Sequence, residues 1–487
     1  MVSGQVAFVQ PRWLKDFDFG FASADTEAAD KPELLLEGFL EHLRMVEEAR
    51  DGRKFLFLGY KGSGKSALGE RLVLLAESDP KLFVRMINIA DLSFQTFSQI
   101  LQTGIEPEAR YPTVWSWLLL LQFFDSFAKD NGSNTMTDSE LWLAIEALKE
   151  AGLLPDPKLS ETVHTTLEKS FSLKIAGVLD VGAKSATKRN NDLPFFVERL
   201  KLNAERLRTD SKHLIVVDGF DDLLRRRNLQ YDALGALVFE AHRLNNWFVQ
   251  RSVPAKIVLL CRTDLFERLR GPNNNKIRQD SAVSLDWATE KRGLRRSPLL
   301  ELINRRASLR TNSRIDVFQV YLPTAVEKVE VREYLLDHTR HVPRDMVMLL
   351  KCLQEHSGLG RMTEGQVFDA LASYSKTYFV PEMKDELDGQ VEGEEIGRAF
   401  RLFSSLRKRM VRVKELEARA AELKYPPTFD IRLILRLLFD CSAIGNAPTP
   451  KTHPKDIRFK FRTRFSEFNE LEHIVFHRAL WKALDLH

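Results

Sequence analysis

The sequence predicts an α/β fold in which a parallel sheet is flanked by helices. Three observations carry this. Short apolar runs suited to buried strands alternate with longer stretches of helical apolar spacing. Residues 59–66 read Gly-Tyr-Lys-Gly-Ser-Gly-Lys-Ser, which fits G-x-x-x-x-G-K-[ST]. A further apolar run, LIVV, leads straight into Asp218.

The elements follow in order. Residues 54–58 (KFLFL) read as a buried strand, and residues 67–76 (ALGERLVLLA) have helical spacing that stops before Asp79 and Pro80. The glycine run between them is therefore in the strand–loop–helix setting of a P-loop. Gly59, Gly62 and Gly64 let the backbone turn its N–H groups toward phosphate oxygens. The helix beginning near Lys65 adds its positive end. The motif assigns Lys65 to the β- and γ-phosphates of a nucleotide and Ser66 to Mg2+. Tyr60, Lys61, Ser63 and Ala67 complete the loop.

Residues 82–89 (LFVRMINI) predict a second strand. An insertion at about 91–210 follows, with a strongly apolar helix at 113–128 expected against the sheet, a second helix at 138–151 and a hairpin at 170–187. The run LIVVDGFDD then places Asp218 at the C-terminal end of a strand, where it can hold Mg2+ through water. Of Asp221 and Asp222, one can orient or deprotonate an attacking water, with Asp222 favoured; the alternative is a helix N-cap. A helix over 231–250 leads to the strand 256–260 (KIVLL) and then to Cys261-Arg262-Thr263-Asp264. Arg262 or Thr263 would sit beside the γ-phosphate, with Arg262 as the sensing group; alternatively Thr263 and Asp264 cap the helix LFERL. Residues 282–287 (AVSLDW) predict another strand.

Downstream, residues 384–395 (KDELDGQVEGEE) read as an acidic linker. A basic helix over 398–423, a helix over 429–439, the segment IRFKFRTRF and a terminal helix in HIVFHRALWKAL give a winged-helix pattern. In IRFKFRTRF, Arg458, Lys460, Arg462 and Arg464 would share one strand face, which could meet a nucleic-acid phosphate backbone or lie solvated on the outside.

Composition bounds the remainder. The chain has 487 residues, 44% hydrophobic and 29% charged, which is ordinary for a globular protein of several domains. A net charge of +4 excludes a polycation. The three cysteines, Cys261, Cys352 and Cys441, have neither zinc-ligand spacing nor a disulfide pattern. No signal-peptide pattern opens the sequence, and the longest apolar run, 117–121, is too short for a bilayer. A cytoplasmic protein without membrane contact is expected. No nuclease, protease or deaminase motif occurs, so an effector would be another protein.

The placement of a strand between the P-loop and LIVVD elements resembles the AAA+/STAND branch of ASCE P-loop ATPases, in which another strand lies between those two in the sheet. DGFDD resembles the DGLDE form seen in NACHT-type STAND ATPases, with Asp222 where that pattern has Glu. Residues 338–350 (HTRHVPRDMVMLL) resemble the sensor-2 element of AAA+ and Orc/Cdc6-like lids, with Val342 where those have Gly. Pro343 suits a helix start, and the resemblance implies that Arg344 faces the nucleotide. GFASADTEA at 20–28, NKIRQDS at 275–281 and a small C-terminal domain resemble bacterial stand-alone P-loop ATPases. That resemblance implies ATP with Mg2+, homo-oligomerisation, a partner protein, adenine contacts around residues 19–24 and an anti-phage gene neighbourhood. Arg278 is the candidate arginine finger toward a neighbouring subunit, with Arg305 and Arg306 as alternatives. The domain division expected is 1–52, a core at 53–297, a helical lid at 298–382 and a winged-helix-like domain at 395–487. The function expected is an ATP-hydrolysing switch that controls a partner. The alternative is an ATP-stabilised module that binds nucleic acid or protein with little turnover.

Overall fold

The computed structural model describes residues 13–92, 107–167, 193–220, 229–269, 273–288, 297–311, 314–453 and 456–487. The chain divides into two compact units. One comprises Leu43–Gly59 and Lys65–Leu285; the other comprises Tyr60–Gly64 and Asp286–His487 with the N-terminal residues up to His42.

The first unit is built on a five-stranded sheet of β1 (Leu56–Gly59), β2 (Leu82–Asn88), β3 (Lys212–Asp218), β4 (Ala255–Arg262) and β5 (Ala282–Ser284), in the order β2-β3-β4-β1-β5. Every pairing is parallel. The strand ending in Arg262 thus lies between the strand before the glycine loop and the strand ending in Asp218, the insertion that the resemblance implies. The central strands are continuous apolar runs because parallel strands are covered on both faces: Leu214 to Val217 and Ile257 to Cys261 are all buried.

The helices Lys65–Ser78, Pro107–Lys129, Leu229–Arg251 and Leu193–Ala204 supply the apolar partners. Trp115, Trp117, Phe123 and Phe124 of the long 107–129 helix share one core with Phe196, Phe248 and the sheet residues Ile215 and Leu259. Phe123 meets Phe248 edge-on, with centroids 5.0 Å apart. Helix Ser139–Glu150 starts where Asp138 accepts a hydrogen bond from the Leu141 N–H at 3.0 Å. The hairpin expected at 170–187 lies outside the described residues.

Two polar contacts fix the site-bearing strands. The Asn245 side chain donates to the Ile257 carbonyl and accepts from its N–H, tying helix Leu229–Arg251 to β4. The Lys256 ammonium donates to the Glu48 and Gly52 carbonyls, closing the C-terminal end of helix Met45–Arg50 just before β1.

The second unit is mostly helical: Ala24–Asp30, Pro298–Ser308, Val331–Leu336, Pro343–His356, Glu364–Tyr374, Val380–Leu387, Gly393–Leu406, Val413–Glu422 and Ile431–Asp440. A two-stranded turn pairs β6 (Ala325–Val326) with β7 (Val329–Glu330). A small antiparallel sheet has the order β8 (Met410–Val411), β10 (His473–Phe476), β9 (Ile444–Ala447).

Four expectations for this unit are corrected. The acidic stretch 384–395 is not an extended linker. It holds the end of helix Val380–Leu387, a turn bridged between Asp388 and Val391, and the start of helix Gly393–Leu406, with Leu387 and Val391 buried. The basic helix over 398–423 is two helices, because Arg407 takes a left-handed φ of 52° after Leu406 and β8 follows. HIVFHRALWKAL opens as the central strand β10 rather than as a helix. IRFKFRTRF is not a strand. It makes one bridge, Asn446 with Arg458, and then turns, with the Arg462 and Thr463 N–H groups returning to the Phe459 carbonyl. Of its apolar residues, Phe459 and Phe461 are buried and pack with Ala447 and Val475, whereas Phe465 is exposed. Among the described residues, no helix is long and apolar enough to cross a membrane.

Candidate functional site

The C-terminal ends of parallel strands are where an open α/β sheet presents its ligands, because loops diverge there. In the sheet unit this edge carries Gly59, Asp218 and Arg262. The register sets Gly59 opposite Arg262 and Asn88 opposite Asp218. Lys65 opens the helix after β1; it is buried, and its ammonium donates to the Gly59 carbonyl at 3.2 Å. Ser66 and Ala67 follow in the first turn, both half-buried.

Asp218 accepts a hydrogen bond from the Gly219 N–H at 2.8 Å. Gly219 must be glycine. Its φ is +86°, and a Cβ there would lie 1.7 Å from Asn88 Oδ1, which caps the Ala90 N–H at 3.0 Å. Asp221 and Asp222 lie outside the described residues. Arg262 is buried and forms a two-pronged pair with Asp264, Nε to Oδ1 at 2.9 Å and Nη2 to Oδ2 at 2.8 Å. Burial pushes the Asp264 carboxyl up, but the Arg262 guanidinium, with smaller help from Arg268 and Lys65, holds it below the usual carboxylate range. Thr263 and Asp264 lie in the first turn of helix Thr263–Arg268 rather than capping it; Arg262 is the N-cap, and no side chain caps the helix.

The glycine loop itself, Tyr60–Gly64, belongs to the second unit and is held there by backbone contacts. The Ser63 N–H donates to the Tyr60 carbonyl at 3.1 Å, and the Ser63 carbonyl accepts from the Trp287 indole at 2.8 Å. Trp287 was expected to end a strand; β5 instead stops at Ser284. Gly62 takes a φ of +81°, and its carbonyl accepts from the Arg344 N–H at 3.2 Å. A Cβ on Gly62 would lie 3.0 Å from Arg344 Cβ and 3.3 Å from Val342 Cγ2. The start of helix Pro343–His356 is thus packed directly on the loop. Pro343 occupies its first position, and Val342 is extended at φ −123°, a conformation open to any residue, so glycine is not needed there.

The same helix start is braced by a buried ion pair. Asp345 accepts from Arg340 Nε at 2.9 Å, Nη2 at 2.7 Å and its backbone N–H, and from the Tyr378 hydroxyl at 2.8 Å. Although burial disfavours both charges, the pairing holds the Arg340 pKa well above and the Asp345 pKa below their ordinary values.

Glu382 was not anticipated from the sequence. Its Oε1 lies 3.3 Å from Lys61 Nζ, 3.6 Å from Arg340 Nη2 and 3.7 Å from Arg344 Nη1. No spacing rule links a glutamate over 300 positions downstream to a glycine loop. Asn88 was equally hidden.

The remaining arginines separate clearly. Arg278 lies on helix Asn274–Ser281, 3.4 Å from Glu267. Arg305 is exposed and donates to the Glu37 carbonyl at 2.7 Å. Arg306 as an intersubunit finger is corrected. Its side chain is only 7% exposed, pairs with Glu27 and donates to the Phe19 carbonyl at 2.7 Å, so it is committed within its own unit. The leading segment around Phe19 therefore has a packing role, with Phe19 and Glu27 buried.

The basic face expected in IRFKFRTRF is also corrected. Arg458 pairs with Glu472, Lys460 donates to the Ser466 carbonyl at 3.1 Å, Arg462 pairs with Asp337 at 2.9 Å and Arg464 with Asp286 at 2.5 Å. The three arginines are thus paired with carboxylates and Lys460 with a carbonyl, rather than sharing one strand face.

By class, the protein is α/β, with a central parallel sheet flanked by helices that fits an α/β NTPase fold and a largely helical C-terminal region. Residues 297–380 of that region match the FunZ-associated C-terminal helical domain, FunZ_C. The chain matches no curated protein. The matched span runs from the residue before helix Pro298–Ser308 to the start of helix Val380–Leu387, and it includes Arg340, Arg344 and Asp345.

Proposed function

We propose that the chain is an ATP-binding and ATP-hydrolysing switch of the AAA+/STAND-like kind, which changes shape or self-association with nucleotide and controls a partner protein. The observation that carries this reading is the strand–glycine loop–helix element. Its buried Lys65 ammonium is turned back on the Gly59 carbonyl, at a strand edge that also carries Asp218 and Arg262. A buried ammonium needs an anionic or carbonyl partner, and a polyphosphate supplies several.

In this reading the loop amides and Lys65 hold the phosphates, Ser66 and Asp218 hold Mg2+, and Asp221 or Asp222 positions water. Mg2+ would neutralise charge developing on the transferred phosphoryl group. Arg344 contributes from the helix packed on Gly62, and Arg278 is the candidate for reaching a second subunit. An anti-phage setting rests on the sequence resemblance alone.

The test is phosphate release and ATP binding by the full chain with Mg2+, against Lys65→Ala. Lys65→Ala is expected to remove at least tenfold of the affinity. Equal binding by the two proteins would overturn the reading.

One observation favours the second reading, an ATP-retaining module with little turnover. The residue suited to sensing the γ-phosphate, Arg262, is locked to Asp264. ATP retained through purification without Mg2+-dependent phosphate release would select it.

A further inference from the structure

We propose that Glu382 is an anionic latch on the glycine loop, giving Lys61 and Arg344 the counter-charge that a phosphate of the bound nucleotide takes over. This regulation rests on the nucleotide reading above.

Four features of the geometry point to it. First, Glu382 serves both cations with one oxygen: Oε1 is 3.3 Å from Lys61 Nζ and 3.7 Å from Arg344 Nη1. Among the described residues it is the carboxylate within 4 Å of either. Second, that oxygen is buried yet accepts no hydrogen bond, so the contact is coulombic without directed donors. An anion with better geometry can therefore replace it, since directed charge-assisted hydrogen bonds are about twice as strong as neutral ones. Third, both cations remain reachable, with side chains 21% and 29% exposed. Fourth, the third cation near Glu382, Arg340, is held independently by Asp345 at 2.7 Å and lies 3.8 Å from Glu386. Losing Glu382 would leave that brace intact.

The latch is placed to report what happens at the loop. Glu382 lies in the first turn of helix Val380–Leu387, which follows a π-helical turn, Ser375–Phe379. π-turns inside helices are frequent at functional positions. Here the turn is tied to the C-terminal segment. Ser375 donates to the Ala479 carbonyl at 2.5 Å, and Phe379 stacks on His477 with centroids 5.0 Å apart. Farther along the helix, Met383 Sδ lies 3.8 Å from Cys441 Sγ and Lys384 Nζ lies 5.3 Å from the Phe400 ring. Exchange of Glu382 for phosphate frees the start of a helix that packs on two parts of the C-terminal segment, just after a turn that packs on a third. The latch therefore has two states, with Lys61 and Arg344 neutralised by Glu382 or by phosphate.

The experiment is titration of the full chain with MgATP, and separately with inorganic tripolyphosphate, for wild type, Glu382→Gln, Glu382→Asp and Lys65→Ala. Removing a competing anion from two cations makes Glu382→Gln bind both probes more tightly, on the order of tenfold, at low salt. Glu382→Asp, whose shorter side chain draws the charge back, gives an intermediate gain and stands in if the Gln variant does not fold. A residue that only supports the loop gives the opposite sign, because its loss loosens the phosphate cradle. Equal or weaker binding by folded Glu382→Gln, or by Glu382→Asp in its place, overturns the latch. If wild-type binding is still lost in Lys65→Ala, the nucleotide reading survives that result. Absence of binding by both wild type and Glu382→Gln overturns the two together.

Discussion

The buried pair of Glu27 and Arg306 makes a prediction whose size follows from its surroundings. The guanidinium is 7% exposed and the carboxylate 5%. Both carboxylate oxygens are used by Arg306, and Oε2 also accepts the Phe21 N–H at 2.9 Å. Glu27→Ala leaves a buried cation with the Phe19 carbonyl as its remaining hydrogen-bond acceptor, and it orphans the Phe21 amide. Breaking one side of a buried pair costs about 3–5 kcal/mol, largely because the surviving charge is stranded. Removing both charges strands no charge, although the Phe21 N–H and the Phe19 carbonyl lose these partners. Glu27→Leu with Arg306→Met replaces them by apolar groups of similar volume, and the cost falls to about 0–2 kcal/mol, chiefly the Phe21 amide. The double variant is therefore more stable than Glu27→Ala alone.

Urea unfolding followed by circular dichroism measures the ordering, and limited proteolysis around residues 20–31 shows whether the leading segment detaches first. A Glu27→Ala loss below about 1 kcal/mol, or a double variant less stable than Glu27→Ala, would refute the argument. The first result would mean that the pair is solvated, the second that Arg306 stabilises its surroundings without Glu27.

Two further outcomes can be checked directly. Gly219→Ala forces an L residue to a φ of +86° and drives Cβ toward Asn88 Oδ1, so the Asn88 cap on Ala90 must break. The combined loss is about 2–4 kcal/mol, read from the urea midpoint, and an unchanged midpoint would remove Gly219 as a conformational requirement. His213 is buried between Phe83 and Phe127, accepts or donates at Ser126 Oγ, and has its pKa lowered to about 4 by that burial, against the pull of Asp130. Between pH 4 and 6.5 the unfolded chain binds the proton and the folded one does not, so stability rises with pH across this window and is lost on acidification. The full swing is about 3 kcal/mol, and His213→Phe should flatten the stability–pH slope there; an unchanged slope would refute the assignment.

The sheet was legible in the sequence because parallel strands are buried on both faces and so are written as unbroken apolar runs. LIVV before Asp218 and KIVLL before Arg262 needed no tertiary knowledge to be read as strands. The glycine loop was legible because its backbone requirements fall on consecutive residues. The C-terminal third was harder for a physical reason. HIVFHRALWKAL contains both periods, and what makes Ile474 and Val475 a strand is pairing with Met410 and Val411 and with the 444–447 segment, which no local pattern encodes. The alternation in IRFKFRTRF matches the burial of Phe459 and Phe461 but not the exposure of Phe465. It could not predict that the backbone would lack a full-length partner and turn at Phe459. The counter-charges were invisible for the same reason: Asp337 for Arg462, Asp286 for Arg464 and Glu27 for Arg306 all lie far away in sequence.

Those distant counter-charges bear on how the protein acts on a partner. Nucleic-acid binding draws its affinity from cations that exchange condensed counterions for phosphates. In the C-terminal segment the candidate cations already have carboxylates or carbonyls, and Arg432 and Arg436 share Glu470 in the same way. A nucleic acid using these cations would first have to displace those partners, at a small cost where the pairs are exposed. The same segment also contacts residues that pack on the glycine loop. Arg344 is packed on Gly62, Glu382 neutralises Lys61 and Arg344, and the helix bearing Glu382 follows a π-turn docked on His477 and Ala479. In the latch proposed above, a charge change at the loop would be passed by that path to His477 and Ala479, which follow the small sheet. A change of shape presented to a protein partner is the output that the proposed latch would give.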